Sequence, residues 1–143
     1  MGKLNDYIAR LEAVTVESQE RDILEIIKSQ ETIITNLNTD QLFEGERSDG
    51  TILPDYSPVS VEAYGKPAGP IRLYDEGDFY RGFFIETDNF PVMFGSRDSK
   101  SEMLKNEFGK NIFGLTTENL IELNQSYLRT RVQAYYSRLL SVR

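Results

Sequence analysis

Three carboxylates stand close together in this sequence, at Asp75, Glu76 and Asp78. Carboxylate oxygens are the ligands that Mg²⁺ and Ca²⁺ prefer, so the cluster has the right chemistry for a hard cation. The spacing matches no complete metal-binding loop, whereas Asp75 followed by Asp78 three residues later is typical of a helix cap. The sequence therefore favours a structural cap, with Asp75 as N-cap, over a metal site.

The residues that most often carry catalysis near neutral pH are missing. The 143 residues include no His and no Cys, which removes the commonest general base and excludes thiolate chemistry and disulfides. No glycine-rich phosphate loop is present, and no Ser, Thr or Lys has a partnered base. We predict no enzymatic activity, no cofactor and no metal. A metal-dependent hydrolase built on the acidic cluster is an alternative that calorimetry with metal ions would expose.

Aromatic residues crowd the middle of the chain, where they could stack on nucleic-acid bases or form a core. They are Phe79, Tyr80, Phe83, Phe84, Phe90, Phe94, Phe108 and Phe113. Few basic residues accompany them, and the net charge of −7 opposes binding to a phosphate backbone. We predict a core in which Phe79, Phe83 and Phe94 are buried together, and no sequence-specific nucleic-acid partner.

Charge is distributed unevenly along the chain. Residues 1–50 carry a net −6, residues 51–100 a net −3 and residues 101–143 a net +2. The last fifteen residues contain four arginines, Arg129, Arg131, Arg138 and Arg143, and no acid. This asymmetry suits head-to-tail self-association against acidic residues such as Glu17, Glu20, Glu25 or Glu31. Arginines that only complement a helix C-terminus are the alternative.

Apolar residues at three- and four-residue steps predict long helices at both ends of the chain. One helix is expected over about residues 18–37. A weaker stripe through Leu4, Ile8 and Leu11 predicts either a short lead-in helix or an extension of the same helix. The other begins at a Thr cap near residue 116 and runs almost to the end of the chain. No apolar run is long enough to cross a membrane and no signal peptide is recognisable, so we expect folding in the cytoplasm.

The segment between these helices contains the strand signals. Ile71–Tyr74 is predicted as a short strand, followed by a helix that contains Phe79 and Phe83 and by a hairpin around residues 83–96. A helix over residues 99–108 should end at Gly109. The predicted fold is α+β: a small antiparallel sheet packed with an N-terminal helix and a long C-terminal helix, in one domain of residues 1–143.

Glycine and proline interrupt the chain repeatedly between about residues 44 and 70. Only residues 59–64 could form a short helix, with Ser57 as cap and Pro58 at the first helical position. We expect the rest to be an irregular arm that is poorly ordered in an isolated subunit and contacts a partner. Pro54, Tyr56 and Tyr64 are its candidate partner-binding residues.

The segment from Ile71 to Phe83 and the hairpin after it resemble bacteriophage virion-morphogenesis proteins of the minor-tail, neck and tail-completion type. The positions that carry the resemblance are Asp75, Gly77, Phe79, Phe83, Gly95-Ser96, Phe108-Gly109 and residues 112–116. Two features depart from the family. Glu76 stands where the family usually has Thr, and residues 98–106 replace an aromatic and His-containing stretch.

The resemblance implies a non-enzymatic α+β subunit that assembles into a ring of identical copies. Its expected partners are itself and portal, neck or tail proteins, and its expected location is the virion after folding in the host cytoplasm. A cytosolic adaptor or regulatory binding module is the alternative, because an acidic surface and a long terminal helix suit that role equally. A ring of six or twelve subunits would favour the first hypothesis, and a monomer or dimer the second.

Overall fold

The structure is a computed structural model that describes residues 2–141, so Arg143 lies outside the described residues. Its helices are α1 Gly2–Ala13, α2 Val16–Ser29, α3 Glu31–Phe43, α4 Pro58–Tyr64, α5 Asp78–Arg81, α6 Ser101–Phe108, α7 Thr117–Leu123 and α8 Arg129–Leu139. Strands β1 Phe83–Glu86 and β2 Met93–Ser96 pair antiparallel. The α+β fold predicted from the sequence is confirmed.

The predicted helix over residues 18–37 is two helices that meet at Gln30, whose φ of −106° and ψ of 18° depart from helical values. The two helices have different partners. Helix α2 packs against α8, where the Tyr135 hydroxyl donates to an Asp22 carboxylate oxygen at 2.8 Å. Helix α3 instead places Ile34 against Ile85 of β1. The break at Gln30 therefore separates two packing surfaces, which the apolar periodicity by itself did not reveal.

The hairpin predicted around residues 83–96 is confirmed, and its register pairs Phe83 with Ser96 and Glu86 with Met93 at the two ends. Phe84 lies across Gly95, where an added Cβ atom would come within 2.8 Å of its ring. The guanidinium of Arg97 stacks on that ring, 4.4 Å from its centroid. Gly95 is thus required for the close packing of the outward face of the hairpin.

Two apolar clusters form the interior. The first contains Leu42, Leu53, Phe79, Phe83 and Ile112, and the second contains Ile34, Ile85, Leu115 and Leu123. The rings of Phe79 and Phe83 meet edge to face with centroids 5.1 Å apart. Phe94 is only half-buried and packs on the second cluster, so the expectation that it shares a core with the other two is wrong. The hairpin register places Phe94 beside Ile85 instead.

Two side-chain amides of α3 fix the segment that enters the C-terminal helix. Asn38 is fully buried, donates to the Ile112 carbonyl at 3.0 Å and accepts from the Gly114 N–H at 2.9 Å. Gln41 accepts the Thr116 N–H at 2.9 Å. Thr116 in turn caps α7 as predicted, since its hydroxyl accepts the Asn119 N–H at 3.2 Å.

The C-terminal helix continues from α7 to α8 through a π-helical segment, Asn124–Leu128. The prediction of a long helix is confirmed, although the extra residue per turn was not foreseen. Leu123 of the expected apolar stripe is buried, whereas Leu120 is exposed. Among residues 2–141, none of the helices is long and apolar enough to span a bilayer.

The Gly- and Pro-rich segment is irregular, with isolated bridges joining Glu46 to Ile52 and Asp55 to Pro70. Its short helix α4 forms as predicted, with Ser57 as cap and Pro58 at the first position. One residue of this arm is packed into the interior of the subunit. Leu53 lies in the first cluster with 2% of its surface exposed, and its N–H donates to the Gly45 carbonyl at 2.7 Å. Contact with a neighbouring subunit stays a prediction.

Candidate functional site

A groove of about 430 Å³ lies between α4, the loop of residues 71–77 with the start of α5, and α6. Its apolar side chains are Ile71, Leu73, Phe79, Met103, Leu104 and Phe108. Four acids and two lysines also line it: Asp75, Glu76, Asp78, Asp98, Lys66 and Lys100. We call this surface the acid-lined groove. Its apolar floor and net negative lining suit a partner segment that carries apolar and basic side chains.

The loop that forms one wall of the groove is held by hydrogen bonds rather than by strand pairing. The Tyr56 hydroxyl accepts the Arg72 N–H at 3.0 Å, and the Tyr80 hydroxyl donates to the Arg72 carbonyl. Leu73 has a φ of 55°, in the left-handed region that costs a non-glycine residue about 1 to 3 kcal/mol. The predicted strand over residues 71–74 is therefore wrong, because this backbone turns at Leu73.

Asp75 does not cap the helix that follows it, so that prediction is wrong. The N-cap of α5 is Gly77 with a φ of 87°, and the helix starts at Asp78. A side chain at Gly77 would collide with Arg81 and Tyr74, whose atoms lie 2.9 and 3.1 Å from the position of an added Cβ. The turn that a carboxylate was expected to stabilise is made instead by the left-handed glycine.

Three of the four acidic residues of the groove have separate partners. The Lys66 ammonium lies 3.2 Å from an Asp75 carboxylate oxygen, and Arg81 pairs with Asp78. Asp98 accepts the backbone N–H of Lys100 at 3.1 Å. Within residues 2–141, no three acidic side chains converge in a way that could hold a metal ion.

The structure brings most of the sequence motif to this groove. Asp75, Gly77, Asp78 and Phe79 line it, while Phe83 lies beneath in the first apolar cluster. Gly109 plays a different part, because with a φ of 92° it ends α6, as predicted. The motif residues therefore build one wall of the groove and the core that supports it.

The candidate partner-binding residues are scattered. Tyr56 lines the groove, whereas Pro54 and Tyr64 are exposed outside it. Arg129, Arg131 and Arg138 are exposed on α8, far along the chain from the groove residues. Nothing in the sequence predicted that Met103 lines the groove, because its exposure there depends on how α6 packs.

Helix α8, which carries the three arginines, packs against helix α2, which carries the acidic residues, within one subunit. Burial, followed by the hydrogen bond to the Asp22 carboxylate, raises the pKa of Tyr135 at this contact to about 12. Glu17, Glu20 and Glu25 lie on α2. Glu31, proposed with them as an arginine partner, already accepts the Ile85 N–H at 2.9 Å. The acidic and basic parts of the sequence are therefore adjacent in the fold and do not lie at opposite ends of it.

Helix α1 presents a second uncovered surface. Leu4, Ile8 and Leu11, here called the α1 stripe, are 62%, 42% and 43% exposed, and none of the residues Gly2–Ala13 is buried. The sequence predicted the apolar spacing correctly. It could not show that the stripe stays uncovered, because that depends on whether another element packs against it.

The chain matches no protein-family model, no curated protein and no solved structure. Two features of the described subunit bear on its function. One is the acid-lined groove, and the other is helix α1, whose apolar stripe is not covered by any other element among residues 2–141. Both features are typical of protein–protein recognition.

Proposed function

We propose that this chain is a structural virion protein of a tailed bacteriophage, a neck or tail-completion subunit. It acts by assembling into a ring-like homo-oligomer and by docking to portal, neck or tail proteins. The resemblance of residues 71–125 to phage virion-morphogenesis proteins supports the class. The exposed surfaces of the subunit support the mode of action, which is assembly and not catalysis.

The observation that carries the proposal is the uncovered α1 stripe. Scattered apolar residues on a protein surface need no explanation, but three on one helix face form a contiguous patch. Each buried leucine or isoleucine side chain contributes about 1.5 to 3 kcal/mol relative to leaving it in water. A neighbouring subunit that covered this stripe would gain part of such a contribution from each of the three side chains, because 62%, 42% and 43% of their surfaces are exposed.

Sedimentation of the purified chain across a range of concentrations, with electron microscopy of the largest species, tests the proposal. We expect a closed ring, with six or twelve subunits as the sizes that fit a neck or tail terminus. A chain that remains monomeric or dimeric up to high concentration would contradict ring assembly. It would favour the adaptor alternative.

The adaptor alternative has its own supporting observation in the acid-lined groove. A groove of this volume on a single subunit could bind a segment of an unrelated partner without any ring. Under that alternative the chain would be a non-enzymatic binding module. The subunit count separates the two functions, because only the virion role requires many copies in one particle.

A further inference from the structure

We propose that residues 55–70, here called the α4 flap, form a movable wall of the acid-lined groove, which Lys66 holds in the closed position. When Lys66 releases its partners, the flap moves away from the groove as a unit and the groove widens. Such a hinged segment changes the width of a binding groove without refolding the rest of the subunit. The inference goes beyond the proposed function, because the device works within one subunit whether or not copies assemble.

The two ends of the α4 flap are joined to each other. Asp55 and Pro70 form an isolated antiparallel bridge, and the Tyr56 N–H donates to the Gly69 carbonyl at 2.9 Å. Just before this neck, Leu53 is buried in the first apolar cluster with 2% of its surface exposed. The chain therefore leaves the core and returns to it at one place, as it does in a compact surface loop with closed ends.

Beyond its neck, the flap has no packed interior. None of the residues from 54 to 70 is buried, and those of helix α4 are no exception. Val59 and Tyr64 of α4 are 64% and 75% exposed. A segment with few buried apolar contacts opens locally at a much lower free energy than global unfolding. The flap is therefore free to move while the core stays folded.

Lys66 ties the flap to the loop of residues 71–77. Its ammonium lies 3.2 Å from an Asp75 carboxylate oxygen and 3.4 Å from the Tyr74 carbonyl oxygen. The Lys66 side chain is 27% exposed, whereas that of Asp75 is 74% exposed. Because the carboxylate side of this ion pair faces water, ions in solution screen it and the tie is weak. A weak tie is what a segment that opens and closes requires.

One further side chain joins the flap to that loop. The Tyr56 hydroxyl, beside the neck, accepts the Arg72 N–H at 3.0 Å. Within residues 2–141, Lys66 and Tyr56 make the only side-chain hydrogen bonds that leave the flap. Both residues also line the groove, together with Ser60 of α4. Opening of the flap therefore moves a wall of the groove, and the Arg72 N–H loses its acceptor when it does.

Spin labels placed across the groove measure the position of the flap. The chain has no Cys, so Glu62→Cys on α4 and Met103→Cys on α6 create the only two labelling sites, both at exposed residues. Lys66→Met in this labelled chain removes the ammonium and keeps an unbranched side chain. Lys100→Met is the matched control, because Lys100 also lines the groove but, within residues 2–141, has no carboxylate within salt-bridge distance. An excess of unlabelled chain removes distances between copies.

Pulsed electron resonance gives the distribution of distances between the two labels. We expect Lys66→Met to increase the long-distance population about two- to fivefold, the range that loss of one exposed ion pair allows. Lys100→Met should leave the distribution of the labelled chain unchanged. Added salt should shift the labelled chain toward the distribution of Lys66→Met, because the Asp75 carboxylate is exposed.

Hydrogen exchange of the same proteins without labels distinguishes flap opening from a general loss of stability. The Arg72 N–H should exchange faster in Lys66→Met, because its acceptor lies on the flap. The Leu53 N–H, which donates to the Gly45 carbonyl in the core, should exchange at the rate of the unaltered chain.

Three results would overturn the inference. The first is an equal distance distribution in the labelled chain, Lys66→Met and Lys100→Met, because Lys66 would then not hold the flap. The second is an equal increase in both variants, which would assign the effect to the charge of the groove. The third is faster exchange of the Arg72 and Leu53 amides together, which would assign it to global stability. Each result is independent of ring assembly, which sedimentation measures.

Discussion

The Glu31 carboxylate accepts the backbone N–H of Ile85 at 2.9 Å, so the first turn of α3 covers the outer edge of strand β1. Lys28 donates to the other carboxylate oxygen at 3.1 Å. The Ile85 N–H, with Lys28, lowers the pKa of the Glu31 carboxyl below its ordinary value. One side chain thus caps a strand edge that would otherwise present an unpaired donor.

Replacing Glu31 by Ala should lower the free energy of unfolding by about 1 to 3 kcal/mol at pH 7, because the Ile85 N–H loses a charged acceptor. The pKa is lower in the folded state, so the contribution is present above the unfolded pKa and is lost as pH falls through the folded pKa. Urea titrations between pH 7 and 3 measure how the contribution of Glu31 to the free energy of unfolding changes with pH. Glu25→Ala, an exposed acid on α2, is the control and should stay within about 0.5 kcal/mol. Equal pH profiles for both variants would contradict the prediction.

Asn38→Ala should destabilise the fold by about 2 to 5 kcal/mol, because it leaves the buried Ile112 carbonyl and Gly114 N–H without their partner. Chemical unfolding followed by circular dichroism checks the value. Asn36→Ala changes the same residue type at an exposed position of the same helix and should not destabilise the fold, because Ala has the higher helix propensity. If both variants lost a comparable free energy of unfolding, the hydrogen bonds of the Asn38 amide would not be what holds residues 112–116.

Phe83→Ala should cost about 3 to 5 kcal/mol, because it opens a cavity beside Phe79 in the first apolar cluster. Phe90→Ala removes the same side chain where 48% of it is exposed and should have a much smaller effect. Thermal unfolding of the three proteins gives the comparison. A melting temperature of Phe83→Ala equal to that of the unaltered chain would disprove the core assignment.

Tyr135→Phe should make the fold less sensitive to alkaline pH. The pKa of Tyr135 is raised to about 12 in the folded protein, so its contribution is complete below the unfolded pKa near 10 and is lost as pH rises toward 12. Unfolding free energies between pH 8 and 12 should fall more steeply for the unaltered chain than for the variant. Tyr64→Phe, on an exposed residue, is the control. Identical slopes in all three proteins would refute the role of the Asp22 contact.

Arg131→Glu combined with Arg138→Glu should weaken self-association, and added salt should weaken the unaltered assembly. Exposed ion pairs contribute only about 0 to 1 kcal/mol each and are screened by ions, so the effect is collective and partial. Lys105→Glu combined with Lys110→Glu reverses the same charge on another exposed surface and serves as control. Sedimentation of the unaltered chain and of both variants at low and high salt measures the size of the assembly. An assembly indifferent to salt and to the arginine reversals would leave those arginines as ordinary charges of the last helix.

Short-range patterns in the sequence were sufficient for most of the helices and the hairpin. Ser57 and Pro58 start α4, Thr116 starts α7 and Gly109 ends α6, because capping hydrogen bonds and glycine backbone preferences act over a few residues. The apolar spacing of α1 was equally visible. These features need no knowledge of what the rest of the chain does.

Tertiary packing decided the remainder, including the candidate site. Glu31 meets Ile85 across 54 positions and Asn38 meets Gly114 across 76, and neither pair shares a local pattern that predicts the contact. The same applies to the break at Gln30 and to the burial of Leu53. Side chains far apart in sequence compete for the same buried space and the same unpaired backbone groups. Which side chain takes a buried position or pairs with a backbone group depends on the packing of the whole fold. The local pattern from Asp75 to Asp78 therefore predicted an Asp75 cap, whereas the N-cap is Gly77.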